Sequence, residues 1–296
     1  GAMFGIQMTL SKQKKGTTMP FKTARVWLFA IAAIFISGYG ISIMFDILNS
    51  NGMTLLEYAL LVLFSITFAW IVTAFCSGTI GFVLQLFRID PLTLKRIKPI
   101  AIHAQAIAKQ KTAVVMPIYN EDTHRVIAGF EVSLASLKET GQLEHFDFYL
   151  LSDTQDPQIA ENELNAWHAL CERLGDTAKH IFYRRREDNK HRKVGNLTDF
   201  CERWGSKYDH MIVLDADSIM TGKCMLELTT SMLNNPQAGL IQTIPIPVRQ
   251  DTFFGRFLQF ASVLYSPMLA TGSAFWQTDQ ANYWGHNAII RVDAFI

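Results

Sequence analysis

The sequence predicts an α/β domain with a mostly parallel sheet, preceded by two transmembrane helices. Two long uncharged runs occur before residue 90, and from Lys111 onward short apolar strands alternate with helical segments. The predicted division is a basic cytoplasmic segment at 1–24, a transmembrane hairpin at 25–88, a linker at 89–110 and an incomplete cytoplasmic domain at 111–296. The chain opens with Gly1-Ala2-Met3, which resembles the remnant of a cleaved tag.

The composition excludes some classes of protein. The chain has 27 Lys and Arg against 26 Asp and Glu, so its charge indicates no nucleic-acid partner. Its four cysteines stand far apart without a Cys-x-x-Cys pair, which is typical of reduced thiols and not of a metal site. No Gly-x-Gly-x-x-Gly or Walker loop is present, which disfavours a Rossmann dehydrogenase or a P-loop NTPase.

The two apolar runs, residues 26–45 and 58–87, contain no Asp, Glu, Lys or Arg. Each reaches the ~20 residues that cross a bilayer, so the lipid bilayer is the first predicted partner. The connector 46–57 carries acidic residues only, whereas basic residues precede the first run and follow the second. This asymmetry predicts that both outer ends face the cytoplasm.

The predicted strands of the second half are 112–116, 146–151, 180–183, 211–214 and 239–242. In the helical segment after the second strand, apolar residues recur at steps of three and four, and they are Ala160, Leu164, Trp167, Cys171 and Leu174. This stripe predicts a buried face with Trp167 in the core, and Gly175 as the stop. The aromatic segment 253–270 is either an interfacial helix beside the bilayer or a helix packed on the sheet.

Asp215-Ala216-Asp217 follows the fourth predicted strand directly. Alternate side chains of a strand share a face, so the two carboxylates should point the same way. Carboxylate oxygens suit a hard cation such as Mg²⁺ or Mn²⁺, which keeps positions open for a diphosphate. An Asp-x-Asp is also common as a pair of loop or helix-capping acids, and the tripeptide alone does not decide between the two.

Other polar residues follow neighbouring strands: Tyr119 and Glu121 after the first, Asp153 after the second, and Lys193 after the third. The carboxyl ends of parallel strands meet at one edge, where α/β proteins bind ligands, so these residues should form one site. The basic run 184–193 is either a solvated or membrane-facing patch or a set of ligand contacts, with Lys193 as the candidate contact.

Five motifs stand in a recognisable order: Pro117-x-Tyr119-Asn120-Glu121, Asp153, Lys193-x-Gly195-Asn196-Leu197, Asp215-Ala216-Asp217 and Tyr283-Trp284-Gly285-His286-Asn287. In order and spacing they resemble the family 2 processive inverting glycosyltransferases, which include cellulose synthase. The stretches 182–186, 200–206 and 283–291 are similar in particular to the enzymes that make osmoregulated periplasmic glucans.

The resemblance implies a GT-A fold, UDP-glucose as donor, a β-glucan as acceptor, and a multi-pass protein of the bacterial inner membrane. It implies that the nucleotide is bound by Pro117, Tyr119, Glu121, Asp153, Lys193 and Asp215. Asp217 and Asp215 would hold Mg²⁺ or Mn²⁺ and act in catalysis, and Trp284, His286 and Asn287 would line the acceptor. Acyl carrier protein and other glucan-synthesis proteins are the partners it implies.

Inversion needs a general base opposite the leaving group, which related enzymes supply from a later acidic motif. We therefore expect the base beyond Ile296, and we expect this chain to bind donor without polymerising. Asp279 precedes the acceptor segment and is a poor substitute. His286 has no partner with metal-ligand spacing, so an acceptor contact or a core hydrogen bond is expected of it. The alternative function is a membrane-tethered nucleotide-sugar sensor without transferase activity.

Overall fold

The computed structural model describes residues 7–10, 22–89, 107, 110–280 and 282–295. The α-helices are α1 (Lys22–Leu48), α2 (Leu55–Leu86), α3 (Thr123–Lys138), α4 (Pro157–Leu174), α5 (Arg192–Trp204), α6 (Gly222–Asn234), α7 (Phe253–Gln277) and α8 (Val292–Phe295). The strands are β1 (Gln7–Leu10), β2 (Thr112–Ile118), β3 (Phe146–Ser152), β4 (Ile181–Arg185), β5 (His210–Val213), β6 (Ala238–Gln242) and β7 (Ala288–Arg291).

The chain forms two compact units, and their boundary differs from the predicted one. Helices α1, α2 and α7 form a helical unit, whereas residues 110–243 and 282–295 belong to a sheet unit. The predicted domain 111–296 ran without a break, but residues 244–280 group with the two N-terminal helices. The sequence of the sheet unit is therefore interrupted by a segment that contains α7, which belongs to the helical unit.

Helices α1 and α2 have the length and composition of membrane spans, with mean hydropathies of 2.1 and 2.3 in their most apolar windows. Only 6% and 11% of those windows is buried, so neither is the core helix of a soluble fold. Helix α2 begins at a capping box in which Thr54 and Glu57 satisfy each other's backbone N–H groups. Its uncharged interior then runs for most of the 32 residues of the helix.

Helix α7 packs along α2 at a crossing made of glycines. A Cβ added at Gly81 would overlap the Met268 carbonyl, and one added at Gly272 would overlap the Ser77 carbonyl. This close approach of two backbones is the role that glycines have between apolar helices. The Trp276 indole donates to Ser77 Oγ at 3.1 Å beside it. The aromatic residues Phe253, Phe254, Phe257 and Phe260 remain exposed, so the interfacial alternative for this segment stays open.

The sheet has the strand order β1-β6-β7-β5-β2-β3-β4. Strands β5, β2, β3 and β4 are mutually parallel, and β7 lies antiparallel between β5 and β6. The prediction of an α/β fold with a mostly parallel sheet is confirmed, and the five predicted strands hold to within two residues. Strand β7 was not predicted, because a four-residue run such as Ala288–Arg291 is too short to signal a strand without its partners.

Helix α4 buries a different face from the one that its apolar stripe predicts. Trp167 is in the core as predicted and meets Phe130 edge-on at 6.2 Å. Leu164, however, is 43% exposed, and Glu163 is buried in its place. The prediction for Leu164 was wrong because the hydroxyl groups of Ser152, Thr154 and Tyr183 lie beneath the helix. They donate hydrogen bonds to the Glu163 carboxylate, which is buried instead.

His210 predicts a pH dependence of the sheet unit's stability. It is fully buried at the start of β5, and neither ring nitrogen has a hydrogen-bond partner. Burial, and then the nearby Arg291 charge, lower its pKa to about 3. The unfolded chain, with a pKa of about 6.5, binds the proton first, so this stability is present above pH 6.5 and is lost as the pH falls toward 3.

We expect acidification from pH 7 to pH 5 to remove about 2 kcal/mol of unfolding free energy through this residue. The urea midpoint of unfolding at both pH values measures the loss. In His210→Leu the difference between the two midpoints should be smaller than in the wild type. His124→Leu removes an exposed histidine and serves as the control. An unchanged pH slope in His210→Leu would contradict the assignment.

Candidate functional site

A cavity of about 730 Å³ opens at the carboxyl ends of β2, β3 and β5. All the residues predicted to bind nucleotide or metal line it: Pro117, Tyr119, Glu121, Asp153, Lys193, Asp215 and Asp217. The strand-end rule therefore located the cavity, and one pocket brings these side chains together. The ligands assigned to them remain predictions.

The loops after β2 and β3 are joined through Asn120. Its φ of 52° is left-handed, a conformation that asparagine tolerates better than most residues. Its N–H donates to Thr154 Oγ1 at 3.0 Å, and its side-chain oxygen accepts from the Gln155 and Asp156 N–H groups. The neighbouring Tyr119 side chain, half exposed at the pocket, is thereby held on a fixed backbone.

Asp153 is almost fully buried in the pocket wall, and both of its oxygens are engaged by one arginine. Arg186 donates from Nε at 2.9 Å and from Nη2 at 2.7 Å, a bidentate geometry. The sequence pattern singled out only Lys193 from the basic run and missed Arg186. The available signal was that Arg186 directly follows β4, the strand that pairs with β3 and whose last residue, Arg185, lies opposite Ser152.

Lys193 lies in the first turn of α5 and forms an ion pair with Asp215 across the pocket. A Cβ at Gly195 would overlap the Lys190 carbonyl, so this turn folds tightly on the preceding loop. Asn196 is buried, accepts from Arg184 and donates to the Leu151 carbonyl. In the Lys-x-Gly-Asn motif, the lysine faces the pocket while the glycine and the asparagine fix the helix on the sheet.

The two acids of the Asp-x-Asp differ in their surroundings. Asp215 lies between Lys193 and the His286 Nε2, which is 3.9 Å from it. Asp217 is 66% exposed in its side chain and has Arg125 Nη2 at 3.9 Å. Asp215 thus has a close cation partner in Lys193, whereas Asp217 faces solvent with only an exposed arginine at 3.9 Å.

The fit to a divalent metal can be judged from the donor set. Within the described residues, no group of three His, Cys, Asp or Glu side chains could hold a metal. The pocket offers the two aspartates, with hard carboxylate oxygens, and it is lined by five acidic and three basic side chains. These residues fit Mg²⁺ or Mn²⁺ that takes its remaining ligands from phosphate oxygens and water.

The Tyr-Trp-Gly-His-Asn segment enters β7 beside the same pocket. The Trp284 N–H donates to Gln242 Oε1 at 3.1 Å, which ties the segment to the end of β6. Asn287 is buried, and its amide donates to Ser218 Oγ at 3.3 Å, just after the Asp-x-Asp. Among the predicted acceptor residues, Trp284 is exposed and His286 faces Asp215, while Asn287 is engaged inside the fold.

Comparison with known proteins finds a matching family and relatives over most of the chain. The family model for glycosyl transferase family 2 matches residues 113–296. Glucans biosynthesis glucosyltransferase H of Shewanella oneidensis is 43% identical over 277 residues, which are 93% of this chain and 36% of that protein. The protein of that name from Ralstonia nicotianae is 44% identical over 86% of this chain and 29% of its own length.

The protein of that name from Xanthomonas oryzae is 44% identical over 86% of this chain and 38% of its own length. The chain therefore spans about a third of the length of the curated relatives it matches. The family model covers more than half of this chain. It includes all of strands β3 to β7 and all of β2 except Thr112. The chain therefore belongs to glycosyl transferase family 2.

Proposed function

We propose that the pocket binds UDP-glucose and forms the donor site of an inverting, metal-dependent glucosyltransferase that extends a β-glucan. The observation that carries the proposal is the meeting of Asp153, Lys193, Asp215 and Asp217 in one cavity at the strand ends. The relatives' name, glucans biosynthesis glucosyltransferase, supports glucose as the sugar and glucan as the product.

The charge of the pocket supports a cation-assisted diphosphate site. The five acidic lining residues are balanced by three basic lining residues and by Arg184 and Arg186, which pair with Asp153, so a diphosphate entering alone would find no surplus of positive charge. Lys193 supplies one positive charge, and its ion pair with Asp215 holds the ammonium at the pocket. When bound, Mg²⁺ or Mn²⁺ held by Asp217 and Asp215 would supply further positive charge for the leaving diphosphate.

Glucosyl transfer forms a bond from an acceptor hydroxyl oxygen to the anomeric carbon while the bond from that carbon to the diphosphate oxygen breaks. The electron pair of the broken bond leaves with UDP, and the hydroxyl proton passes to a base. Lys193 is placed to stabilise the negative charge that grows on this leaving group. Asp215 orients the lysine, and Arg186 fixes the Asp153 carboxylate that would face the base. Tyr119 would cover the nucleoside from the β2 loop.

The acceptor would approach from the side of Trp284 and His286. Inversion also needs a base on the face of the sugar opposite UDP. Asp279 is ion-paired with Lys22 in the helical unit, so we do not assign it this role. Helices α1 and α2 would span a bacterial inner membrane with the sheet unit in the cytoplasm, in keeping with the basic flanks of the pair.

Calorimetry of UDP-glucose binding to the detergent-solubilised chain tests the proposal. We expect measurable binding that Mg²⁺ strengthens by roughly tenfold or more, because the cation supplies positive charge that the pocket does not have in surplus. ADP-glucose, which differs in the base, is the matched ligand control and should bind more weakly. Equal affinity for both nucleotides, or no effect of Mg²⁺, would contradict the proposal. Glucan formation from UDP-glucose by the native gene product would separate the enzyme from the sensor alternative.

A further inference from the structure

Glu163 is a buried carboxylate directly behind the pocket wall. It lies on α4 with 1% exposure and accepts three side-chain hydrogen bonds, from Ser152 Oγ at 2.6 Å, Thr154 Oγ1 at 2.5 Å and Tyr183 Oη at 3.1 Å. Among the ion pairs of the described chain, none includes Glu163. Its charge is therefore compensated by hydroxyl donors.

A carboxylate in such a place is costly unless its oxygens are well satisfied. Three hydroxyl groups satisfy it here, and bonds of this kind to an ionised acceptor are short and strong. The pKa of Tyr183 rises to about 12, through burial first and the Glu163 charge second. A carboxylate is also the side chain with enough lone pairs to accept from all three hydroxyls at once.

The three bonds bear on the segment that carries Asp153. This segment continues the β3 ladder, since the Asp153 N–H donates to the Ile118 carbonyl and the Arg186 N–H to the Ser152 carbonyl. In extended chain, alternate side chains face opposite sides. Glu163 therefore holds Ser152 and Thr154 on one side, while Asp153 between them faces the pocket on the other.

The hydrogen bonds of Glu163 also connect to the loop after β2. Thr154 Oγ1 donates to Glu163 and accepts from the Asn120 N–H, so Glu163 also fixes the loop that carries Tyr119. The Thr154 carbonyl accepts from Arg185 Nε at 3.1 Å. In contrast, Lys193 and Asp217 stand on α5 and after β5, elements that Glu163 does not contact through any of these bonds.

We propose that Glu163 is a positioning residue for the nucleoside end of the donor, acting through Ser152 and Thr154 on Asp153 and Tyr119. This inference rests on the proposed donor site. It predicts that the loss of Glu163 affects recognition of the base and leaves recognition of the diphosphate intact, because the phosphate-facing residues are held by other elements.

The test compares the affinities of the full chain for UDP and for inorganic pyrophosphate, both with Mg²⁺. Glu163→Met keeps the approximate side-chain volume and removes both carboxylate oxygens, so we expect UDP affinity to fall about tenfold. Glu163→Gln keeps one acceptor oxygen and should lose roughly threefold. Pyrophosphate affinity should stay within about twofold in both variants. Glu161→Gln, an exposed acid on the same helix, should match the wild type.

Thr154→Val removes the shared hydroxyl without changing the shape of the side chain, and should reproduce the selective loss of UDP affinity. If Glu163→Met does not fold, the UDP and pyrophosphate affinities of Glu163→Gln and Thr154→Val provide the test. Unchanged UDP affinity in these variants, or equal losses for UDP and pyrophosphate, would overturn the role of Glu163 alone. A wild-type chain that binds pyrophosphate but not UDP would overturn the proposed function together with this inference.

Discussion

Replacing Lys193 by Met is expected to weaken UDP-glucose binding about a hundredfold, the largest single effect that we predict. The substitution removes the ammonium that faces the diphosphate, and it also leaves Asp215 without its ion-pair partner in the pocket. Asp215 then keeps only the His286 ring nitrogen, 3.9 Å away, so both changes raise the free energy of the bound diphosphate. Calorimetry with Mg²⁺ present measures the loss directly.

Lys190→Met is the matched control, because Lys190 belongs to the same basic run and does not line the cavity. Its affinity should equal that of the wild type. Combining Lys193→Met with Asp215→Asn completes a double-mutant cycle. The double variant should lose less than the sum of the two single losses, because the unpaired carboxylate is gone. Strict additivity would indicate that the ion pair does not act in donor binding.

Asp217→Asn is expected to remove the effect of Mg²⁺ on donor affinity. Without metal, the variant should bind UDP-glucose as well as the wild type or slightly better, because one negative charge near the diphosphate is lost. With metal, it should bind roughly tenfold more weakly than the wild type, because the exposed carboxylate that would hold the cation is missing. Titrations with and without Mg²⁺ give the four affinities needed.

Asp188→Asn is a suitable control, since Asp188 is exposed and lies outside the cavity lining. It should retain the full response to Mg²⁺. A response retained in Asp217→Asn would remove the metal role from this residue. A loss of affinity in Asp217→Asn that is equal with and without Mg²⁺ would indicate a direct contact with donor instead.

Most of the residues that line the pocket were predictable from local patterns, whereas the residues that hold them in place, Arg186 and Glu163, were not. The rule that parallel sheets bind ligands at their carboxyl edge is enough to place Asp153, Lys193 and Asp215 together from the sequence. Arg186, which binds both oxygens of Asp153, lies in a run of similar residues, and only its place just after the strand beside β3 distinguishes it from them. Glu163 was missed for a different reason. An acidic residue on a helix is expected to face solvent, and the hydroxyl groups that bind it come from distant parts of the chain.

Local sequence is sufficient for the two uncharged helices, the alternation of strands and helices, and the strand ends that carry the polar residues. These features follow from the apolar pattern and the charge of short stretches, which act over a few neighbouring residues. The three-dimensional packing was needed to establish that β7 lies antiparallel between β5 and β6, that α7 packs on α2, and that Glu163 accepts from Ser152 and Thr154, the two neighbours of Asp153. Each depends on which distant backbone or hydroxyl supplies the partner, and no local pattern encodes that pairing.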